Sequence, residues 1–223
     1  MTRARPFDLV IFDLDGTLVD SLPDIARALN VALAEANLPA LPFETVRGFV
    51  GDGAAKLIER AVPPAAGHLG LQATLLARFV AAYTNAVCVE SRLYPGIADL
   101  LNALNEAAVV TAVVTNKPGT LARALLRALA IADRFTAIIG DGDGFPRKPD
   151  PASVYGILEG SGVRMERAVI VGDGLPDVRM ARAVPCSSIA AGWGYVPARL
   201  LHAEHPTFFA PAVQDAAHVL LPA

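Results

Sequence analysis

Several large classes of protein are excluded by what this chain lacks. Only two of its 223 residues are cysteine, Cys88 and Cys186. Two are too few for a disulfide framework, and neither has metal-site spacing. Free thiols in a reducing cytoplasm are the expectation. The four histidines, His68, His202, His205 and His218, form no HxxxH pair and no Cys/His set, so no zinc site is expected. Long apolar runs are missing too. Hydrophobic residues make up 53% of the chain and mean hydropathy is +0.43. Even so, the densest run, Ala107 to Val114, contains Thr111 and is far too short to span a bilayer. The opening "MTRARPFDLV" passes from arginines into a strand-like segment without a signal-peptide core. A basic face is also missing. Net charge is −3 and the largest basic cluster, Arg3 with Arg5, reads as a frayed end. No nucleic-acid or membrane partner is expected.

What is present is alternation. Phe7–Phe12, Val109–Val114, Ala137–Ile139 and Ala168–Val171 read as strands buried on both faces, with Ser188–Ala191 a weaker fifth. Helix-period segments separate the later strands: Ile97–Ala107, Pro118–Ala130, Pro151–Glu159 and Leu175–Val184. The pattern predicts an α/β fold, a doubly wound parallel sheet. The rhythm breaks once, between Phe12 and Val109. There the pattern is helical: Ser21 is placed to cap a helix from Leu22 onward, followed by Phe43–Val50, Ala54–Ala61 and Leu71–Val87. The turn signals "NLPALP", "GDG" and "PPAAGHLG" separate these segments. The expected organisation is an α/β core of residues 1–17 and 94–223, with an all-helical domain of residues 18–93 inserted after the first strand.

Chemistry collects at the strand ends. "LVIFDLDGTLVDS" closes an apolar strand with Asp13 and Asp15. Residues two apart on an extended segment point to one side, and open α/β sheets bind ligands beyond the carboxyl ends of their strands. Two neighbouring carboxylates repel, so a proton, a cation or both must offset them. An all-oxygen donor set suits Mg²⁺. Gly16 then allows an unusual backbone angle. "VVTNKP" ends the next strand in Thr115 and Asn116, groups suited to phosphate oxygens. "RKPDP" offers Lys148. "VGDGLPD" offers Asp173 and, about one helical turn on, Asp177. Each has an ordinary alternative as a turn or surface residue. Together they follow successive strands.

These motifs, in this order, resemble the haloacid dehalogenase-like superfamily, and within it the phosphoglycolate phosphatases. "GWGY" (Gly192–Tyr195) resembles a segment of the same subgroup. The resemblance implies that Asp13 is the nucleophile and Asp15 the general acid and base, its backbone carbonyl also a metal ligand. It implies that Asp13, Asp15 and Asp173 hold Mg²⁺, that Lys148 neutralises charge beside the nucleophile, and that Thr115, Asn116 and Lys148 bind phosphate. Asp177 would support Lys148 or metal-bound water, and the helical insertion would be the family's cap. Two departures touch the later loops: Pro176 inside "GDGLPD", and Pro185 where relatives often carry glycine.

The implied activity is Mg²⁺-dependent hydrolysis of a small phosphorylated metabolite, 2-phosphoglycolate being the best single expectation. A sugar-phosphate mutase such as a β-phosphoglucomutase and a nucleotide or pyrophosphate hydrolase stay open. So does a receiver-like phosphoaspartate switch, though that needs neither the acid Asp15 nor a large insertion. Arg47 and Lys56 in the insertion are candidates for a substrate carboxylate, with Gly51 and Gly53 allowing close backbone approach.

Overall fold

The computed structural model describes residues 5–62 and 69–221. His68, Arg3 and the centre of the "PPAAGHLG" turn lie outside that range. In chain order the strands are β1 (Leu9–Phe12), β2 (Val19–Asp20), β3 (Arg92–Leu93), β4 (Val110–Pro118), β5 (Ala137–Asp141), β6 (Ala168–Gly172), β7 (Ser187–Ala191) and β8 (Phe208–Ala210). The α-helices are α1 (Leu22–Glu35), α2 (Phe43–Arg47), α3 (Ala54–Ala61), α4 (Leu69–Asn85), α5 (Ile97–Glu106), α6 (Gly119–Ala128), α7 (Ala152–Ser161), α8 (Leu175–Ala183), α9 (Ala198–Ala203) and α10 (Val213–Leu220).

Six strands form one sheet in the order β5-β4-β1-β6-β7-β8, every pair parallel. The apolar run of β1 supplies both faces. Val10 and Phe12 enter a core with Val113, Val169 and Val171, covered by Leu100, Leu101 and Leu104 of α5 and Leu125 and Leu126 of α6. Leu9 and Ile11 enter the opposite core with Val114 and Ile170, covered by Val154 and Ile157 of α7 and Met180 of α8. Period-two alternation on a strand without a solvent face gives this result.

Helices α1–α4 occupy the stretch between β2 and β3 and have their own core. Leu29, Leu33, Leu57, Ile58, Leu75, Phe79 and Tyr83 pack there, with Leu121 of α6 joining from the sheet side. Helix α1 packs chiefly on α4. Strands β2 and β3 pair antiparallel, Val19 with Leu93 and Asp20 with Arg92, so the chain leaves and re-enters the sheet region at one neck.

Three local details differ from the pattern-based expectation. Strand β4 runs on to Pro118, past Val114, with a register shift against β5. Its polar residues Thr115 and Asn116 are therefore strand residues rather than a turn. Ser21 makes no side-chain cap on α1; its hydroxyl is turned to Asp15 instead. Arg5 is not frayed, since it pairs with Asp8, which also pairs with Arg167.

Candidate active site

The carboxyl ends of β1, β4 and β6 converge, the three being neighbours in the sheet. Asp13 follows β1 directly and its N–H donates to Val171 of β6 at 2.9 Å. One carboxylate oxygen, Oδ1, accepts the Leu14 N–H at 2.7 Å and lies 2.8 Å from Lys148 Nζ. Among the described residues no protein donor reaches Asp13 Oδ2. Lys148 is buried and also donates to Asp177 Oδ1 at 2.7 Å. Asp177 sits in the first turn of α8, where its other oxygen accepts the Gly174 N–H at 3.0 Å. Burial pushes the Lys148 ammonium down, but Asp13 and Asp177 outweigh it and hold it above the ordinary lysine range.

Asp173 is held from three sides. Its Oδ1 accepts the Thr17 hydroxyl at 2.9 Å while its N–H donates to the same hydroxyl oxygen at 3.0 Å. Its Oδ2 accepts the Tyr195 N–H at 2.7 Å. Gly16, at φ +84°, lies against this carboxylate: a Cβ there would fall 2.3 Å from Oδ2. Burial, and then the charge of Asp13, push the Asp173 carboxyl up to about 8. Asp177 is also pushed up, by burial, against the pull of Lys148.

Asp15 is held by two groups at once. Lys117 Nζ lies 3.0 and 3.1 Å from its two oxygens, and the Ser21 hydroxyl donates to Oδ1. Lys117 is itself buried and lies 4.2 Å over the ring of Tyr83 in α4. Burial opposes its charge, but Asp15 and the Tyr83 environment hold its pKa above the ordinary value. Lys117 was not singled out from the sequence. The signal was there: it lies two residues after Thr115 and shares its side of an extended strand.

Thr115 and Asn116 are both buried at the end of β4. The Thr115 hydroxyl accepts the Lys117 N–H at 3.2 Å. The Asn116 side chain accepts the Lys148 N–H at 2.9 Å and donates to the Gly51 carbonyl at 3.2 Å. It thus ties the Lys148 loop to the helical insertion. Gly53, at φ +87°, completes that approach; a Cβ there would lie 2.8 Å from the Asn116 carbonyl.

Above the carboxylates is a pocket. Its floor includes Asp13, Asp15, Thr115, Asn116 and Lys117, and its far wall is apolar, with Ile25, Val50, Leu57 and Phe79. Arg47 and Lys56 do not line it. Arg47 is exposed and reaches the Gly194 carbonyl at 3.4 Å, while Lys56 is exposed and pairs with Glu59.

The donor set can be tested for fit to a divalent cation. Four carboxylates, Asp13, Asp15, Asp173 and Asp177, face the two ammonium groups Lys117 and Lys148, which leaves the buried site negative. Burial first, and then the charge of Asp13, raise the Asp173 carboxyl, and a cation would favour its ionised form. No group of three or more His, Cys, Asp or Glu side chains among the described residues could hold a metal unaided. Two carboxylates supplemented by a backbone oxygen and water suit Mg²⁺, which keeps several waters. The residues fit.

A sheet of this order, an insertion at this neck and acids at these strand ends define a class. The chain belongs to the haloacid dehalogenase-like hydrolases, whose family model matches residues 10–191. It is an enzyme of that hydrolase class. Among its relatives is the phosphoglycolate phosphatase of Pseudomonas syringae pv. tomato. The two are 37% identical over 202 residues, 89% of this chain and 74% of that one. A solved structure of a predicted phosphoglycolate phosphatase from Haemophilus somnus is 32% identical with a TM-score of 0.85, covering 92% of this chain and 93% of that one. A Lactobacillus delbrueckii structure with a TM-score of 0.89 is 24% identical, covers 98% of this chain and 100% of that one, and speaks for the fold alone. No helix among the described residues is long and apolar enough to cross a membrane.

Proposed function

We propose that the chain is a Mg²⁺-dependent phosphatase acting on a small phosphomonoester through an aspartyl-phosphate, with 2-phosphoglycolate as its substrate. One observation carries the reading. Asp13 has one oxygen fixed by Leu14 N–H and Lys148, and a second oxygen with no protein donor among the described residues, at the base of a pocket. A carboxylate oriented in this way is a nucleophile held for in-line attack.

In the proposed reaction Asp13 Oδ2 attacks phosphorus and the bond to the ester oxygen breaks. Asp15 gives its proton to the departing alkoxide. Asp15 then takes a proton from the water that attacks phosphorus, and phosphate leaves with Asp13 restored. Lys148 offsets charge on the transferring group, and Thr115 N–H or hydroxyl and the Asn116 backbone face its oxygens. Asp177 fixes Lys148. Mg²⁺, held by Asp13, Asp173 and the Asp15 backbone carbonyl, would supply further positive charge to the phosphoryl oxygens.

The choice of 2-phosphoglycolate rests on the relatives' names and on Lys117. The substrate's carboxylate needs a cation within the pocket, and Lys117 is a buried ammonium on its floor. Pairing with that carboxylate would also release Asp15 from Lys117 for proton transfer. We further assign residues 18–93 as a cap domain closing over a core of residues 1–17 and 94–223, a division supported by the β2–β3 neck.

A phosphate-release screen with Mg²⁺ over 2-phosphoglycolate, sugar phosphates, nucleotides and pyrophosphate tests the reading. A clear preference for 2-phosphoglycolate is expected. A flat, weak profile would remove the substrate while leaving the reaction class.

A further inference from the structure

The segment "GWGY" has no part in the chemistry above, yet it touches both the acids and the neck. Helix α1 begins with Ser21 as its N-cap and Pro23 in its first turn. The Ser21 hydroxyl is turned to Asp15 and makes no side-chain cap, so the orphan N–H groups at the helix start need another acceptor. The Tyr195 phenol is that acceptor. Its oxygen accepts the N–H of Ser21 at 2.9 Å and of Leu22 at 3.0 Å, and its hydroxyl donates to Asp20 Oδ1 at 3.2 Å. The same residue's N–H donates to Asp173 Oδ2 at 2.7 Å.

The rest of the segment fixes the bridge. A Cβ on Gly194 would lie 2.2 Å from the Asp173 Cβ, so only glycine lets the loop pack on that residue. Trp193 Nε1 donates to the Thr17 carbonyl at 3.0 Å, and Thr17 is the residue whose hydroxyl holds the other oxygen of Asp173. One short loop therefore carries the placement of Asp173 at one end and the start of the helical insertion at the other.

We propose that Tyr195 is a positioning residue that couples the pivot of the helical insertion to the seating of the Asp173 carboxylate. The pivot and the carboxylate then move as one unit. The inference rests on the reading of Asp173 as a Mg²⁺ ligand, but not on the identity of the substrate. Thermodynamic linkage makes it reciprocal: a cation that fixes Asp173 must also tighten the pivot.

Amide hydrogen exchange on the full chain, with Mg²⁺ alone and no substrate, reads this directly. In the wild type, saturating Mg²⁺ should slow exchange in residues 19–25 as well as 172–177. In Tyr195→Phe, which keeps the ring and removes only the hydroxyl, exchange of Ser21 and Leu22 should be roughly tenfold faster or more without Mg²⁺. Mg²⁺ should then protect 172–177 without protecting 19–25, and half-saturation should need several-fold more Mg²⁺. Asp24 of α1 accepts the N–H groups of Val89, Glu90 and Ser91 on the chain returning to β3, so Asp24→Asn disturbs the neck from its other side and is the control. It should loosen 88–91 while leaving the two-segment response to Mg²⁺ in place.

Mg²⁺ protection confined to 172–177 in the wild type would overturn the coupling, as would an unaltered two-segment response in Tyr195→Phe. No Mg²⁺ response in either segment would overturn it together with the metal reading. Failure to hydrolyse 2-phosphoglycolate, with both segments responding, would remove only the substrate.

Discussion

Asp13 and Asp15 are made unequal by their neighbours. Asp13 shares Lys148 with Asp177 and, among the described residues, keeps one oxygen free of protein donors. Asp15 is paired on both oxygens with Lys117, which lies against an aromatic ring. If Lys117 receives the substrate's carboxylate, Lys117→Met should raise KM for 2-phosphoglycolate by roughly tenfold or more. It should change KM for ethyl phosphate, which has no carboxylate, far less. Steady-state kinetics on the two esters measures the difference. Gly16 makes a sharper structural demand. At φ +84°, with a Cβ position 2.3 Å from Asp173 Oδ2, Gly16→Ala must displace either the backbone or the carboxylate. Half-saturation by Mg²⁺ should rise at least several-fold while the thermal midpoint falls.

The residues quoted at the strand ends were legible because strand-end acids need no knowledge of distant partners. The tasks of Thr17 and Tyr195 were not, and Lys117 was marked only by its register with Thr115. Each acquires its task from a contact far away in sequence: Thr17 with Asp173, Lys117 with Asp15, Tyr195 with Ser21 and Leu22. Ser21 shows the same limit in reverse, since its local capping propensity loses to a carboxylate brought close by the fold.

At the level of elements, the second linker of the insertion is organised by Asp24 of α1. This fully buried carboxylate accepts the N–H groups of Val89 at 2.9 Å, Glu90 at 3.1 Å and Ser91 at 2.9 Å, and the Ser91 hydroxyl at 2.7 Å. Arg27 pairs with its other oxygen at 3.0 Å. Burial opposes the charge, but these bonds outweigh it and lower the carboxyl from 3.8 to about 2. Because the folded-state value is depressed, the stabilisation is present above the unfolded value and lost as pH falls from about 4 through 2. That difference corresponds to roughly 2 kcal/mol. Urea unfolding of the wild type should weaken by about that amount over this pH window, beyond the loss seen in Asp24→Asn. At neutral pH, Asp24→Asn should cost about 1–3 kcal/mol, because buried N–H groups lose a charged acceptor.

Elements were legible where they were long and periodic, as in α1 and α5, or continuously apolar, as in β1. The neck strands β2 and β3 have two residues each and β8 has three, too few for any period to register. Strand β4 ran beyond its apolar stretch because its polar end, Thr115 to Pro118, continues the strand as the floor of a pocket.

For the molecule as a whole, two sheet cores and a helical core meet at places that include the β2–β3 neck, Leu121, the Asn116–Gly51 bond, the Lys117–Tyr83 contact and the Tyr195 bonds to Ser21 and Leu22. A buried site with more carboxylates than ammonium groups lies at this junction. A cation that binds there stabilises the folded chain by mass action, by about 2.7 kcal/mol at a hundredfold excess over its Kd. Mg²⁺ should therefore raise the unfolding midpoint of the wild type. Asp173→Asn should remove most of that increment while keeping a folded baseline.

The proposed reaction depends first on attack at phosphorus by Asp13. Mg²⁺-dependent phosphate release from 2-phosphoglycolate by the wild type and by Asp13→Asn, side by side, tests it most directly. Turnover by the wild type is expected, with a loss of roughly a thousandfold or more in a folded Asp13→Asn chain. Equal turnover by the two would contradict it.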